Sequence, residues 1–415
     1  MTFESNATHR PRLVLYNTYE PVVSLFRDLP EALSASGFDV EIVISRSEYR
    51  ARNIRLEQHF NATNVKVTRV GYGFKLPVSS RAQKLIVMLS YIICAGFHLL
   101  THRSRLRIFL TQPPFFSLLG AFLKRVRHEE YAVVMMDMYP EVLEAGGLIN
   151  RNSVPGKLLN RLAYFSRKHA GRIIAIGVDM QQHLADTGIP DSRLAYIPNW
   201  SSLDTPERVP NTENQLRRQF SFSAEDIIIL YSGNMGVSHY FSDLLEVAKR
   251  SRNNPRLKFV FIGGGPRKNE IESFKARHEL NNIHLFGYQP ADLLKQSLSA
   301  GDIHFVSVAD GFGGMVVPSK VFGSLAVGRP ILFQGDKNSE LAKMLEKHQC
   351  GQQVAVGAVD ELEELINTYS RQPSLLEEHG IAALTAYKTC YAKEVGITRY
   401  LNVIRALTEN NMSNV

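Results

Sequence analysis

Apolar residues in this chain gather in short continuous runs, and most runs are followed by a stretch with helical spacing. Leu13–Tyr16 reads as a strand, Ser24–Ser36 as a helix with Leu25, Phe26, Leu29 and Leu33 on one side, and Gly37 stops it before a strand at Val40–Ile44. Further strands are predicted at Arg107–Leu110, Tyr131–Met136, Ile173–Ile176 and Leu194–Ile197, with helices at Pro155–His169 and Asp179–Asp186. Ser201–Asn214, rich in Ser, Thr, Pro and Asn, interrupts the pattern as a linker. The alternation then resumes with a helix around Glu213–Gln219 and strands at Ile227–Tyr231, Phe259–Ile262, Ile283–Phe286, Ile303–Val308 and Ile331–Phe333. Helices are predicted at Ala291–Leu298, Val321–Val327, Ser339–His348, Val359–Arg371 and Lys393–Thr408, with a strand-like piece at Gly351–Val356.

Continuous apolar strands separated by helical periods are the mark of parallel sheets buried on both faces. The expected architecture is therefore α/β, two Rossmann-like doubly wound domains in series, 1–200 and 201–415, hinged near Asn199 across a cleft. The last helix, about 393–408, is expected to pack back on the first domain. At 415 residues the chain is too long for one ordinary core.

Composition removes several classes. With 44% hydrophobic and 21% charged residues, disorder is expected only at the polar ends, Met1–Arg10 and Glu409–Val415. Cys94, Cys350 and Cys390 have no C-x-x-C spacing, which fits a reducing cytosol and not a structural zinc. No basic-then-apolar leader pattern opens the sequence, so a cytoplasmic location is expected. No G-x-G-x-x-G follows the first strand, so a nicotinamide-binding start is not supported.

The net charge of +8 is unevenly spread. Between Gln58 and His128 there is no Asp or Glu, whereas eleven Lys and Arg, from Lys66 to Arg127, lie in that window. Inside it, Leu85–Leu100 is uncharged and, as a helix, roughly 24 Å long, short of a bilayer crossing. Pro114–Arg127 repeats the theme with Phe115, Phe116, Leu119 and Phe122 beside a basic end. Apolar faces rimmed by Lys and Arg suit an anionic membrane surface, assigned here to residues 75–128. Alternatively both helices pack on the sheet and the basic residues form a solvated rim. Nucleic acid is disfavoured, because the basic block is interleaved with aliphatic runs and not with exposed aromatics.

Candidate chemistry sits at strand ends. Glycines after Ile227–Tyr231 and after Phe259–Ile262 let backbone N–H groups approach an anion, so Ile227–Gly265 reads as a phosphate cradle. Asp137-Met-Tyr-Pro-Glu141 stands at the carboxyl end of another strand, where residues of an open α/β sheet face ligands. No Asp-x-Asp triplet lies near a strand end, and His98, His102 and His128 have no ligand-like partners, so no metal cofactor is expected.

Six motifs in order resemble the signature series of the retaining GT-B glycosyltransferases of family four: Asp137–Glu141, Ile197-Pro-Asn-Trp200, Tyr231–Gly236, Phe261–Pro266, Val317-Pro-Ser-Lys320 and Ala326–Pro330. The likeness spans about Leu13 to Leu407 and is greatest to the branch that builds bacterial O-antigen, capsule and exopolysaccharide. It implies a nucleotide-sugar donor on the C-terminal domain and an acceptor on the N-terminal one. By position, Gly233, Asn234 and Gly236 would meet the diphosphate, Gly287, Tyr288 and Gln289 the nucleobase, and the loop of Gly313 and Gly314 the donor sugar. A leaving diphosphate gathers negative charge, for which Lys320, beside Ser319, is the first candidate cation and Arg267 the second.

The chain departs from the family in places. Asn234 and His239 stand where relatives carry an Arg and a Lys, and Met315 and Gly323 where they carry paired Glu; Glu340 could supply one such contact. Met136 replaces a His, and Tyr19-Glu20-Pro21 replaces a glycine loop. Asp137 is the foremost partner for the acceptor hydroxyl, with Glu20 and Glu141 as competitors. The resulting expectation is a metal-independent transferase, peripheral on the inner face of the cell membrane, moving a UDP-linked sugar to a polyprenyl-diphosphate-linked saccharide. A nucleotide-sugar 2-epimerase of the same fold and a non-catalytic membrane-associated scaffold are the rivals.

Overall fold

The computed structural model describes residues 10–18, 25–47, 60, 64–74 and 80–409. Two compact units emerge, Met1–Pro198 with Gly396–Val415, and Asn199–Val395.

The first unit runs β1 (Arg12–Tyr16), α1 (Leu25–Ala35), β2 (Asp39–Ser45), β3 (Val65–Val70), α2 (Arg81–Thr101), β4 (Leu106–Leu110), α3 (Ser117–Arg127) and β5 (Glu130–Met135). It continues with α4 (Glu141–Ala145), α5 (Val154–His169), β6 (Arg172–Ala175), α6 (Val178–Asp186) and β7 (Leu194–Tyr196). Among the described residues these strands form one seven-stranded parallel sheet, in the order β3-β2-β1-β4-β5-β6-β7. Its order reverses between β1 and β4, the place where such sheets open a ligand crevice. Strand β3 does not show in the hydrophobic pattern, because it is the outermost strand and alternates Val with Lys, Thr and Arg.

Helix α2 is longer than the uncharged run predicts. Ser80 caps it, accepting from the Gln83 N–H while the Gln83 side chain accepts from the Ser80 N–H, and this draws Arg81 and Lys84 into the first turn. Ala82–Thr101 is consequently long and apolar enough to cross a membrane by length and composition, which corrects the expectation of a short helix. Yet one face is tied to its own sheet. Val87, Tyr91, Ala95 and Leu99 are buried, Tyr91 Oη donates to Val43 O at 2.9 Å, and His98 lies against Glu41 and Tyr16. Burial of Val87 and Leu99 alone contributes about 1.5–3 kcal/mol each.

The basic block is also partly consumed inside. Arg107 is buried, paired with Glu129 and donating to Leu99 O and His102 O, while Lys124 pairs with Glu130 at 2.8 Å and Arg105 donates to Thr408 O. Only part of that block therefore presents free charge to solvent.

The second unit runs α7 (Gln215–Gln219), β8 (Ile227–Asn234), α8 (Ser242–Arg250), β9 (Leu257–Gly264), α9 (Lys268–Arg277), β10 (Ile283–Phe286), α10 (Leu294–Ala300) and β11 (Ile303–Ser307). It ends with α11 (Lys320–Ala326), β12 (Ile331–Gln334), α12 (Glu340–His348), β13 (Gly351–Val354), α13 (Val359–Arg371) and α14 (Pro373–Ala386), and α15 (Lys393–Glu409) carries the chain back to the first unit. The sheet order is β10-β9-β8-β11-β12-β13, all parallel among the described residues, with its reversal between β8 and β11. Helix α14 escapes the hydrophobic pattern because its apolar residues surround it and form no stripe.

A buried charge cluster pins the amino edge of this sheet. Asp302, just before β11, accepts from Arg217, from Arg329 at 3.3 Å, from Asn211 Nδ2 at 2.9 Å and from the Ile228 N–H at 2.8 Å. Arg329 belongs to the Ala326–Pro330 motif, so that motif has a structural cause at the edge opposite the strand ends that carry the glycines. Asp302→Ala leaves two guanidinium groups uncompensated and should cost about 3–5 kcal/mol in urea unfolding; a loss under ~1 kcal/mol would show that the cluster does not hold the unit together.

Candidate active site

Strand β8 extends to Asn234, beyond the predicted end at Tyr231, because its ladder with β9 continues through Gly233↔Gly263 and Asn234↔Gly264. The glycines make that approach possible. A Cβ on Gly263 would lie 2.0 Å from Gly233 O, and one on Gly265 2.5 Å from Met235 O, both at positive φ. The turn then begins at Met235, whose N–H donates to Gly264 O at 2.8 Å. Among the described residues the backbone N–H groups of Gly236, Val237 and Ser238 donate to nothing, so three consecutive donors remain after β8. The same loop bridges the reversal point: Ala309 N donates to Ser238 O and Tyr240 N to Ser307 Oγ.

Lys320 opens α11 and reaches this loop. Its Nζ donates to Tyr231 Oη and meets His239 Nε2 at 3.2 Å. His239 Nδ1 faces Ser307 O at 2.8 Å, which assigns the ring proton to Nδ1 and leaves Nε2 as the acceptor for Lys320. Burial, then the Lys320 charge, pulls His239 down to about 3, so the ring is neutral. Burial lowers the Lys320 amine to about 7, and burial raises the Tyr231 phenol well above its usual range, with Tyr288 adding to it. An ammonium has three donors, and two are used here. His239 is thus a neutral ring that supports the lysine at the start of α11.

The other donor-side candidates are less closely gathered. Tyr288 lies over the glycine run and donates to Gly264 O at 3.1 Å, and Gln289 Nε2 donates to Gly287 O at 3.0 Å. Arg267 is held by Glu270 at 3.0 Å, one turn along α9. Gly313 has open space about it, Gly314 has φ 70°, Ser319 is exposed just before α11, and Glu340 begins α12 past the end of β12. Absent from the sequence reading was a role for Tyr231, whose one signal was a phenol ending an aliphatic run, and for Asp243. Asp243 accepts from Gln334 Nε2 and the Gly357 N–H, both at 2.6 Å, and holds the strand ends together.

In the first unit the candidate carboxylates separate. Glu141 is buried and bidentate with Arg167, at 2.5 and 2.9 Å, while Arg167 also donates to Tyr139 O at 2.7 Å. Burial pushes Glu141 up, but the Arg167 hydrogen bonds and charge outweigh it and hold the carboxyl below its usual range. Asp137 has no ion pair or side-chain hydrogen bond to its carboxyl among the described residues, and burial raises its pKa. A small cavity at the ends of β4 and β5 is lined by Leu110, Thr111, Met135, Tyr139, Ser166 and Arg167, without Asp137. Glu20 lies outside the described residues. Among the described residues no His, Cys, Asp or Glu cluster has the form of a metal site. Glu141→Ala should lose about 3–5 kcal/mol of stability by stranding Arg167, whereas Asp137→Asn should change it by under ~1 kcal/mol at pH 7, both read by urea unfolding. Equal losses would mean the two carboxyls are equally engaged.

Residues 22–200 match the family model "Glycosyl transferase 4-like domain", and residues 212–386 match "Glycosyl transferases group 1". The chain is 28% identical over 254 residues to the colanic acid biosynthesis glycosyl transferase WcaI of Escherichia coli (strain K12), covering 60% of this chain and 61% of that one. It is 24% identical over 283 residues to the glycosyltransferase WbjE of Pseudomonas aeruginosa, covering 67% and 70%. The alignments thus span about three-fifths to seven-tenths of these relatives. Anabaena Alr3699/HepE, solved in complex with UDP-glucose, superposes with a TM-score of 0.70 at 14% identity over 96% of this chain and 100% of that one. With a glycosyltransferase domain matched in each unit and two parallel-sheet α/β units of Rossmann type, the chain belongs to the GT-B glycosyltransferases.

Proposed function

We propose that the protein transfers a sugar from a UDP-linked donor to a polyprenyl-diphosphate-linked saccharide during cell-surface polysaccharide synthesis. The reading carries with it retention of anomeric configuration, no metal cofactor, and attachment to the inner face of the cell membrane. The observation that carries it is Lys320 bound to Tyr231 and to His239 on the loop after β8, the same loop in which three consecutive backbone N–H groups have no acceptor among the described residues. The UDP-glucose bound by HepE and the colanic acid role in the name of WcaI support the donor and pathway classes.

The chemistry follows from charge. As the bond between sugar and diphosphate breaks, negative charge grows on the leaving oxygen, and preorganised donors stabilise that charge without reorganising. Lys320 would supply the cation and the turn N–H groups the remaining donors. On the acceptor side, Asp137 would take the proton leaving the attacking hydroxyl; its carboxyl, without an ion pair among the described residues and with a raised pKa, suits a base that must also release that proton.

Lys320→Ala should weaken UDP affinity by about tenfold or more in calorimetry. With the amine at about 7 in the free protein, it is charged below that pH and neutral above it, so UDP should bind more tightly at pH 6 than at pH 8. Binding at pH 8 should then take up a proton, visible as a buffer-dependent heat; unchanged affinity in the variant would assign the cation elsewhere. Asp137→Asn should lower kcat by roughly 10²–10⁴ with UDP affinity intact. A screen of nucleotide-sugars against a lipid-diphosphate-saccharide, scored by product mass and anomeric NMR, tests the whole reading, and no transfer or hydrolysis of any donor would sink it.

A further inference from the structure

Three helices lie side by side on one face of the first sheet. Helix α2 adjoins α3, since a Cβ on Gly96 would touch Leu119 at 3.6 Å, and α3 packs on α5, where Ser117 Oγ meets Ser166 Oγ at 2.7 Å. Each turns an apolar stripe outward. On α2 the stripe is Ile86, Leu89, Ile93, Phe97 and Leu100, with Ile93 71% and Phe97 69% exposed, and on α3 it is Phe122 and Val126.

Helix α5 was not among the membrane candidates, yet it carries the same device. Val154, Leu158, Arg161, Phe165 and Lys168 recur at helical spacing on its exposed side, while Gly156, Ala163, Ser166 and Arg167 face inward. The loop before it joins the same surface: Leu148 is 76% and Val154 83% exposed. A Cβ on Gly156 would sit 2.2 Å from Asn150 O, so the loop is seated tightly on the first turn of α5. Charge singles out the occupant. From Ala145 to Val178 there is no Asp or Glu but six Lys and Arg, a second acid-free window separate from that of residues 58–128. Arg167 is spent on Glu141, and Arg151, Lys157, Arg161 and Lys168 remain exposed beside the apolar stripe.

We infer that α5 and the loop at Leu148 form a second membrane footprint beside α2 and α3, so that the three-helix layer lies flat on an anionic bilayer. This rests on the membrane attachment proposed above and extends it by one element. A flat orientation follows from the packing: the inner side of α2 is bound to β2 through Tyr91 and His98, so the helix offers lipid one face only. Apolar side chains enter the headgroup boundary while the basic residues meet lipid phosphates.

The full-length protein is sedimented with vesicles of phosphatidylcholine and phosphatidylglycerol, and with phosphatidylcholine alone. Leu158→Glu with Phe165→Glu, on α5, should cut binding to the anionic vesicles by about tenfold or more, as should Ile93→Glu with Phe97→Glu on α2. Lys157→Ala with Arg161→Ala should weaken binding at low salt and flatten its salt dependence. UDP affinity and the unfolding midpoint, unchanged in each variant, report that the fold is retained. If only the α2 variant lost binding, the α5 footprint would be overturned and the membrane reading would stand. Failure of the unaltered protein to bind either vesicle would overturn both. Intact vesicle binding by the α5 variant, with a change of oligomeric state in analytical ultracentrifugation, would assign the face to a second copy of the chain and equally overturn the inference.

Discussion

A partly buried lysine amine beside a phenol and a neutral imidazole is the constraint that ties together the strand ends of the second unit. Removing an ammonium from water is costly, and the cost appears as a pKa lowered to about 7. What offsets it is the surrounding geometry: Tyr231 within β8, His239 locked by Ser307 at the end of β11, and α11 starting at Lys320 itself. These parts converge because β8 and β11 are neighbours at the reversal of strand order. The glycine run of β9 serves the same end, since it lets the β8 turn fold over without a Cβ in the way.

The first unit divides its charges by a comparable logic. Those that fall on inward faces find partners: Glu41 with Arg12, Thr68 and His98, Arg107 with Glu129, Arg167 with Glu141. Such pairs are weak sources of net stability but costly to break singly. Those on the outer faces of α2, α3 and α5 keep their charge in solvent beside exposed aliphatic and aromatic groups. Asp137 differs: at the end of β5 its half-buried carboxyl has no ion pair or side-chain hydrogen bond among the described residues, and burial raises its pKa, a combination that calls for a functional reading.

Local pattern and composition determined the two α/β units, nearly all their strands, the glycine turns, and the short list from which the site residues come. Periodicity reports which way a side chain faces within its own element, so an edge strand such as β3 and an all-round apolar helix such as α14 left no clear trace. The tertiary structure alone decided which candidates are engaged. Lys320 meets Tyr231 across 89 positions of sequence and His239 across 81, and Arg167 meets Glu141 across 26. Those meetings depend on strand order and on which helix lies over which strand. The physical reason is that hydrophobic periodicity is a nearest-neighbour property of the chain, while ion pairing and desolvation belong to the space that distant segments enclose together.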